Sequence, residues 1–338
     1  MGTSTALLGS SAASSWEDPE RVHRIGALAD SGDIPALAGA RLGAVWWPHE
    51  GTGVGGRLRA MPRVRRQALG EILVARRHAA EAVPDEQERA LVLLALVADG
   101  FAQDAWCDAW ASMLEHLAGR YYWTVTGDEA AHLARALLSA GRVLPPRVVG
   151  FLRRSAIEGL DSADALLGLL PDPVLSPEEP WADRILAELP ELGPRWRLLI
   201  AHLRSASATP TRRWDRGTAA LTDGMDADAV RRTATPWLAL AAHGGSGPDG
   251  GYDPYNIGAV RGLAWLLSLL PPHPETVRVL GALVERPPVK TVVAGAGVRA
   301  LARLHGAAGR GELERLSGLI THKVTLKQIG AALDAGRP

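Results

Sequence analysis

One cysteine, three lysines, one asparagine and two phenylalanines are all that 338 residues contain of those types. A lone Cys107 excludes an internal disulfide framework and any all-cysteine metal site, and it suits a reducing compartment. The scarcity of lysine (Lys290, Lys323, Lys327) and of asparagine (Asn256) follows a GC-rich coding bias, so the abundance of arginine is not read as selection. Neither sign of charge is in excess: 37 Lys+Arg against 37 Asp+Glu leave no net field to draw the whole chain to nucleic acid or an anionic membrane. Long apolar runs are missing too. The longest, Ala90 to Ala98, is far short of the roughly 20 residues that span a bilayer, so no membrane partner is expected. The first 15 residues lack a positive start and carry only a three-residue apolar run, unlike a signal peptide. Residues 1–16 are expected to form a disordered tail, and the protein to be cytoplasmic. There is no HExxH, no paired Cys/His spacing and no GxSxG elbow, which removes support for metal-hydrolase and serine-hydrolase chemistry. No cofactor and no metal are expected.

What is present is helix grammar. Asp18 is placed to cap, Pro19 takes the first helical position, and Val22, Ile25, Leu28 and Ala29 follow on one face, which predicts a helix over Pro19–Ala29. Pro62, Pro84, Pro146, Pro180, Pro194, Pro210 and Pro274 each precede a run with apolar residues three and four apart. Gly100, Gly119 and Gly141 stand where such runs stop. About sixteen helices joined by short turns favour antiparallel neighbours. The only strand candidate, Tyr121 to Thr126, has no partner run and is read as a loop or short extension. The expected fold is all-α: a HEAT-like α-solenoid of stacked helix pairs, with a closed bundle as the alternative. Its N-terminal helical array covers 17–175 and its C-terminal array 176–338. The two are read as continuous, with a division in the Pro-rich stretch Pro171 to Pro180.

In the second half, Asn256-Ile-Gly-Ala-Val-Arg261-Gly262-Leu263-Ala264-Trp265 carries a resemblance. From Pro194 onward the chain resembles a bacterial family of helical-repeat proteins that includes those named as molybdate metabolism regulators. In that family an Asn precedes a Leu-Arg-Gly-apolar-x-Trp helix; here Val260 stands for the usual Leu. The segments around Arg213-Trp214, Ala294 to Leu304 and Thr325 to Leu333 are similar as well. The resemblance implies repeat architecture and no catalytic residue. Read physically, Ile257, Val260, Leu263, Ala264 and Leu267 make a core stripe, and Gly262 lets a neighbouring helix approach. Arg261 is either an anion clamp or half of an ion pair between adjacent helices.

Three further segments carry chemistry. The loop GTGVGG, Gly51 to Gly56, lacks the Lys-Ser/Thr of a phosphate loop and reads as a flexible helix connection. After it, Arg57, Arg59, Arg63, Arg65, Arg66, Arg76 and Arg77 are opposed only by Glu71. Arg63, Arg66 and Arg77 share one side of a helix, with Arg59 leading in, which is either a solvated face or an anion- or partner-binding patch. Finally, Asp104 and Asp108 lie four apart and present both carboxylates on one helical face, while Trp106 and Trp110 repeat on another. The Asp pair is the sequence's only catalytic candidate. As a magnesium pair of the class I terpene cyclase kind it fails, because the second ligand set cannot be built around Asn256. An acid beside tryptophans also resembles helical-repeat DNA glycosylases, without alignable spacing. A mobile glycine-rich loop, Gly244 to Tyr255, could cover a groove or merely join two helices.

These residues favour a noncatalytic helical-repeat scaffold that binds a protein or peptide in a concave groove. The alternatives are a HEAT-like nucleic-acid-binding or base-excision protein using Arg59, Arg63, Arg66 and Arg77 with the Asp104/Asp108 region, and an enzyme of specialised metabolism with a pocket in the helical array. The partner-binding candidates are those four arginines, Arg261, Trp106 and Trp110.

Overall fold

Helices take 76% of the described residues, and no strand occurs among them. The structure is a computed structural model describing residues 19–42, 54–78, 84–98, 100–119, 127–157, 166–247, 250–285 and 291–335. The 1–16 tail and the Tyr121 to Thr126 segment lie outside these. The described residues hold 17 α-helices and form two compact units, 1–171 and 172–338. Proline marks the starts as expected: Pro84, Pro146, Pro180, Pro194 and Pro274 are each the first residue of a helix, and Pro62 is an N-cap. A fixed φ and a missing N–H cost nothing at that position.

The N-terminal unit contains α1 (Pro19–Ser31), α2 (Ile34–Leu42), α3 (Val54–Ala60), α4 (Arg63–Arg77), α5 (Pro84–Val97), α6 (Asp104–Ala118), α7 (Gly127–Ser139), α8 (Pro146–Ile157) and a 3₁₀ turn at Leu167–Leu169. Helices α1, α3, α5 and α7 pack in succession, with α2 on α4, α4 on α5, and α6 on both α7 and α8. The run Ala90 to Ala98 is buried at every position, so the longest apolar stretch becomes a helix covered on all sides. Among the described residues no helix is long and apolar enough to cross a membrane. One expectation is corrected. Val54, Gly55 and Gly56 are not part of a loop but open α3, whose Leu58 is fully buried and anchors the turn despite the poor helix propensity of glycine.

The C-terminal unit contains α9 (Pro180–Leu192), α10 (Pro194–Arg204), α11 (Arg212–Thr222), α12 (Ala227–Ala241), α13 (Ile257–Leu269), α14 (Pro274–Glu285), α15 (Thr291–Arg303), α16 (Ala307–Leu319) and α17 (Lys323–Ala335). Its contacts form two series: α9, α12, α14, α16 in one and α10, α13, α15, α17 in the other, each helix packing on the next. The series are joined by the pairs α9–α10, α12–α13, α14–α15 and α16–α17, and α11 packs on α10 as an insertion. Side-chain oxygens cap two of the helix starts: Thr211 accepts from the Trp214 N–H, and Asp226 from those of Asp228 and Ala229.

The Asn256 to Trp265 segment shows why its residues are needed. A Cβ on Gly258 would lie 2.0 Å from the Arg204 carbonyl oxygen, and one on Gly262 would lie 2.3 Å from that of Leu203. Both glycines therefore let α13 ride against the end of α10, at a distance no other residue permits. Asn256 is fully buried; its Nδ2 donates to the Ser176 carbonyl and to Glu179 Oε2, while its Oδ1 accepts from the Ser176 N–H, each at 2.8 Å. That side chain ties the Pro-rich segment to the start of α13. Trp265 is fully buried, edge-on to Trp214 with centroids 5.4 Å apart.

Candidate functional site

The arginines after Gly56 are used in different ways. Arg66 is drawn inward: its Nη1 donates to the Val97 carbonyl at 2.8 Å and its Nε to that of Met61 at 3.1 Å, and its guanidinium lies 5.5 Å from the centre of the Phe101 ring. It thus supplies the orphan carbonyls at the end of α5 with a cation, the favourable partner for that end of a helix dipole. Arg65 does the same for α1, donating to the Ala29 and Asp30 carbonyls at 3.1 Å each. Arg63 is exposed at the start of α4 and Arg77 half-buried in its last turn. Arg59 points elsewhere, into a cleft.

Asp104 and Asp108 share a face of α6, and both meet Arg142, whose Nη2 lies 2.9 Å from Asp104 Oδ1 and 3.5 Å from Asp108 Oδ1. The two carboxylates are largely exposed and their charge is answered by one guanidinium. Among the described residues no three His, Cys, Asp or Glu side chains come together as a metal site. Trp106 and Trp110 touch each other, with centroids 6.4 Å apart, and Trp106 is edge-on to Phe101 at 6.2 Å. Trp110 is fully buried, its indole N–H donating to the Leu91 carbonyl at 3.1 Å. Of this pair only Trp106 keeps some exposure.

Three of the sequence candidates, Arg59, Asp104 and Trp110, come together around one cleft of about 270 Å³ in the N-terminal unit. Helix α3 supplies Arg59; the end of α5 and the following turn supply Leu96 and Phe101; α6 supplies Asp104, Cys107 and Trp110. The fourth wall is α7, with His132, Arg135, Ala136 and Ser139. Sequence reasoning passed over His132 and Arg135. Their signal was a polar stripe at positions 132, 135 and 139, three and four apart, which by itself resembles any solvated helical face.

A second concavity, about 520 Å³, runs between α14 and α16 of the C-terminal unit. Pro272, Pro274, Val277, Ala282 and Ala308 give it apolar walls, and Arg278, Glu285, Glu312 and Arg315 give it charge of both signs. Arg315 bridges the two helices, 2.6 Å from Glu312 and 3.2 Å from Glu285. Hydrogen bonding to Glu312, and after it to Glu285, raises the guanidinium's pKa above its ordinary value. Arg261 is half-buried on α13, donating from Nε to the Ile257 carbonyl of its own helix at 3.4 Å. Burial lowers its pKa. The interhelical ion pair considered for it does not form among the described residues.

Compared with known protein families, curated proteins and solved structures, the chain matches none.

Proposed function

We propose that the protein is a noncatalytic helical-repeat scaffold, a HEAT-like α-solenoid in its C-terminal unit, that binds a segment of a partner protein along the groove between α14 and α16. What carries this reading is the double series of helices in the C-terminal unit. Stacked pairs place parallel helices of one series side by side, and such neighbours leave a furrow open to a peptide. The resemblance of the Asn256 to Trp265 segment to helical-repeat proteins points the same way. With Val277, Ala282 and Ala308 on its walls and charges of both signs at its edges, the furrow suits an amphipathic segment carrying both signs. The single cysteine, free and buried, fits a cytoplasmic protein.

The test is selection from a displayed random-peptide library against the full chain, followed by fluorescence anisotropy on the peptides recovered. Ala282→Arg and Ala308→Glu change partly or fully exposed positions in the groove. Each is expected to weaken binding by about tenfold or more. A library that yields no binder, or binders indifferent to both substitutions, overturns the reading.

A further inference from the structure

Between Pro194 and Thr222 the chain carries six arginines and one acid, Asp215, although the whole sequence balances 37 Lys+Arg against 37 Asp+Glu. The segment folds as the hairpin of α10 and α11, and its arginines divide by use. Arg195 donates from Nε to the Leu221 carbonyl at 2.8 Å and from Nη2 to that of Asp223, closing the end of α11. Arg204 lies 3.6 Å from Asp172 and over the Tyr255 ring. Arg197, Arg212, Arg213 and Arg216 are exposed, and their side chains make no hydrogen bond or ion pair among the described residues. The one acid is already answered, with Asp215 standing 2.8 Å from Arg303.

The inner side of α11 is firmly held. Thr211 caps it, and the His202 ring stacks on the Trp214 indole with centroids 5.1 Å apart, its Nε2 3.1 Å from the Trp214 carbonyl oxygen. Gly217 permits that approach, since a Cβ there would lie 2.6 Å from the ring. Arg195 and His202 thus mark the side of α10 that meets α11, and Asp215, turned to the end of α15, marks the side of α11 that faces the array. The opposite side of the hairpin is open. At about 100° per residue it carries Leu198 and Ala201 of α10 and Ala220 of α11, all exposed, as a strip between Arg197 on one edge and Arg213 with Arg216 on the other.

Unpaired guanidiniums on both edges of an apolar strip suit a ligand that has negative charge and a nonpolar ridge together. A nucleic-acid backbone offers the charge but leaves Leu198 unmatched. A bilayer takes up several protruding apolar groups, and here a single large one stands out, Leu198 at 61% exposure. An amphipathic helix supplies both parts: apolar residues three and four apart seat on the strip, acids beside them reach the two arginine edges, and the small alanines admit its backbone. We propose that the open side of the α10–α11 hairpin docks an acidic amphipathic helix of a partner protein. The surface shares no residue with the groove between α14 and α16, and the assignment does not rest on that groove.

The experiment selects, against the full chain, from a displayed library of amphipathic helices with a fixed leucine stripe and Glu, Gln or Lys at the flanking positions. Recovered peptides are measured by fluorescence anisotropy. They are expected to carry Glu on both flanks, to lose affinity as salt rises, and to bind the double variant Arg213→Glu/Arg216→Glu about tenfold or more weakly. Arg197→Gln, the loss of one exposed charge, should weaken them about two- to fivefold. Leu198→Glu should weaken them about tenfold, whereas Ala282→Arg, in the other groove, should change nothing. All the hairpin positions changed are exposed, so melting temperatures should match wild type; if a variant fails to fold, the salt dependence of wild-type binding decides. No enrichment of Glu over Gln and Lys, affinity flat with salt, or peptides that respond to Ala282→Arg and not to the hairpin variants would each overturn the proposal. So would vesicles containing phosphatidylserine, or a duplex oligonucleotide, binding more tightly than every recovered peptide and losing that binding with Arg213→Glu/Arg216→Glu.

Discussion

In the C-terminal unit all five tryptophans are buried, at 0 to 7% exposure, and polar side chains such as Asn256 and Tyr252 are tied to backbone, to Ser176 and to Ala241. In the N-terminal unit the described core is mainly leucine, alanine and valine, Trp106 stays half-exposed, and arginines are spent on the carbonyls that end α1 and α5. The first arrangement excludes water from the core and leaves its concavity at the surface between α14 and α16; the second leaves a cleft lined by Arg59 and Arg135. Trp181, Trp214 and Trp265 even bury indole N–H groups that have no acceptor among the described residues. That cost is tolerated where the volume of the ring is what counts.

The largest effect that could break this comparison is at Trp265. Emptying a fully buried tryptophan site is expected to cost about 3 to 5 kcal/mol, read as a lower denaturation midpoint for Trp265→Ala. Trp265→Phe keeps most of the volume and removes the unpartnered N–H, so it should cost far less. Equal losses for the two variants would show that volume is not the role of this residue.

Next in size is Asn256. Replacing it with alanine leaves the Ser176 N–H and carbonyl and one Glu179 oxygen without that partner, at a cost of about 2 to 3 kcal/mol. Asn256→Asp tests the chemistry more sharply. Its carboxylate still accepts from Ser176 but faces Glu179 without a donor, so it should be no more stable than the alanine variant. An aspartate variant as stable as wild type would remove the clamp from the account.

How much of this was legible follows from how far each residue's role reaches along the chain. Proline at a helix start acts within one turn, so Pro84, Pro146, Pro180, Pro194 and Pro274 could be read directly. The pattern Gly258, Gly262, Trp265 also declared a buried helix, although its partner, the end of α10, lies more than fifty residues back. The arginine face could not be read. Whether Arg66 meets solvent or the Val97 carbonyl depends on where α5 ends, 31 residues further on. The cleft was hidden for the same reason, since it needs α3, α5, α6 and α7 together, and the polar stripe that holds His132 and Arg135 resembles any solvated helical face. Gly55 and Gly56 misled, because burial of Leu58 outweighs a propensity cost of about 1 kcal/mol per glycine.

A smaller effect separates polar from apolar packing inside the C-terminal unit. Tyr252 is buried, its hydroxyl donating to the Ala241 carbonyl at 2.6 Å, and burial first, the nearby Glu179 charge second, raise its pKa. A raised folded-state pKa favours the neutral phenol. Its contribution is therefore complete below the unfolded value of about 10 and is lost as pH climbs above it. Tyr252→Phe should cost about 1 kcal/mol at neutral pH and show a shallower decline in stability above about pH 10 than wild type. Parallel declines would mean that Tyr252 does not titrate on unfolding.

The smallest expected effect decides between a scaffold and a nucleic-acid binder, and it turns on the N-terminal arginines. Each phosphate contact contributes about −0.9 to the slope of log affinity against log salt on duplex DNA. Of Arg59, Arg63, Arg66 and Arg77, the guanidinium of Arg66 is committed to helix-end carbonyls and Arg59 lines the cleft. Arg63 at the start of α4 and Arg77 in its last turn are left, more than three turns apart, which is too few contacts and too wide a spacing for tight association. Labelled single- and double-stranded oligonucleotides should bind no tighter than the roughly 10⁻⁴ to 10⁻⁶ M of nonspecific association at physiological salt. Arg63→Ala should leave the salt slope nearly unchanged. Submicromolar affinity that falls steeply with salt, and that loses about one unit of slope with each of Arg59→Ala, Arg63→Ala and Arg77→Ala, would sink the scaffold reading. It would mean that the arginines flanking the cleft act as one surface, and that the carbonyl contacts of Arg66 place a phosphate-binding face instead of only closing a helix.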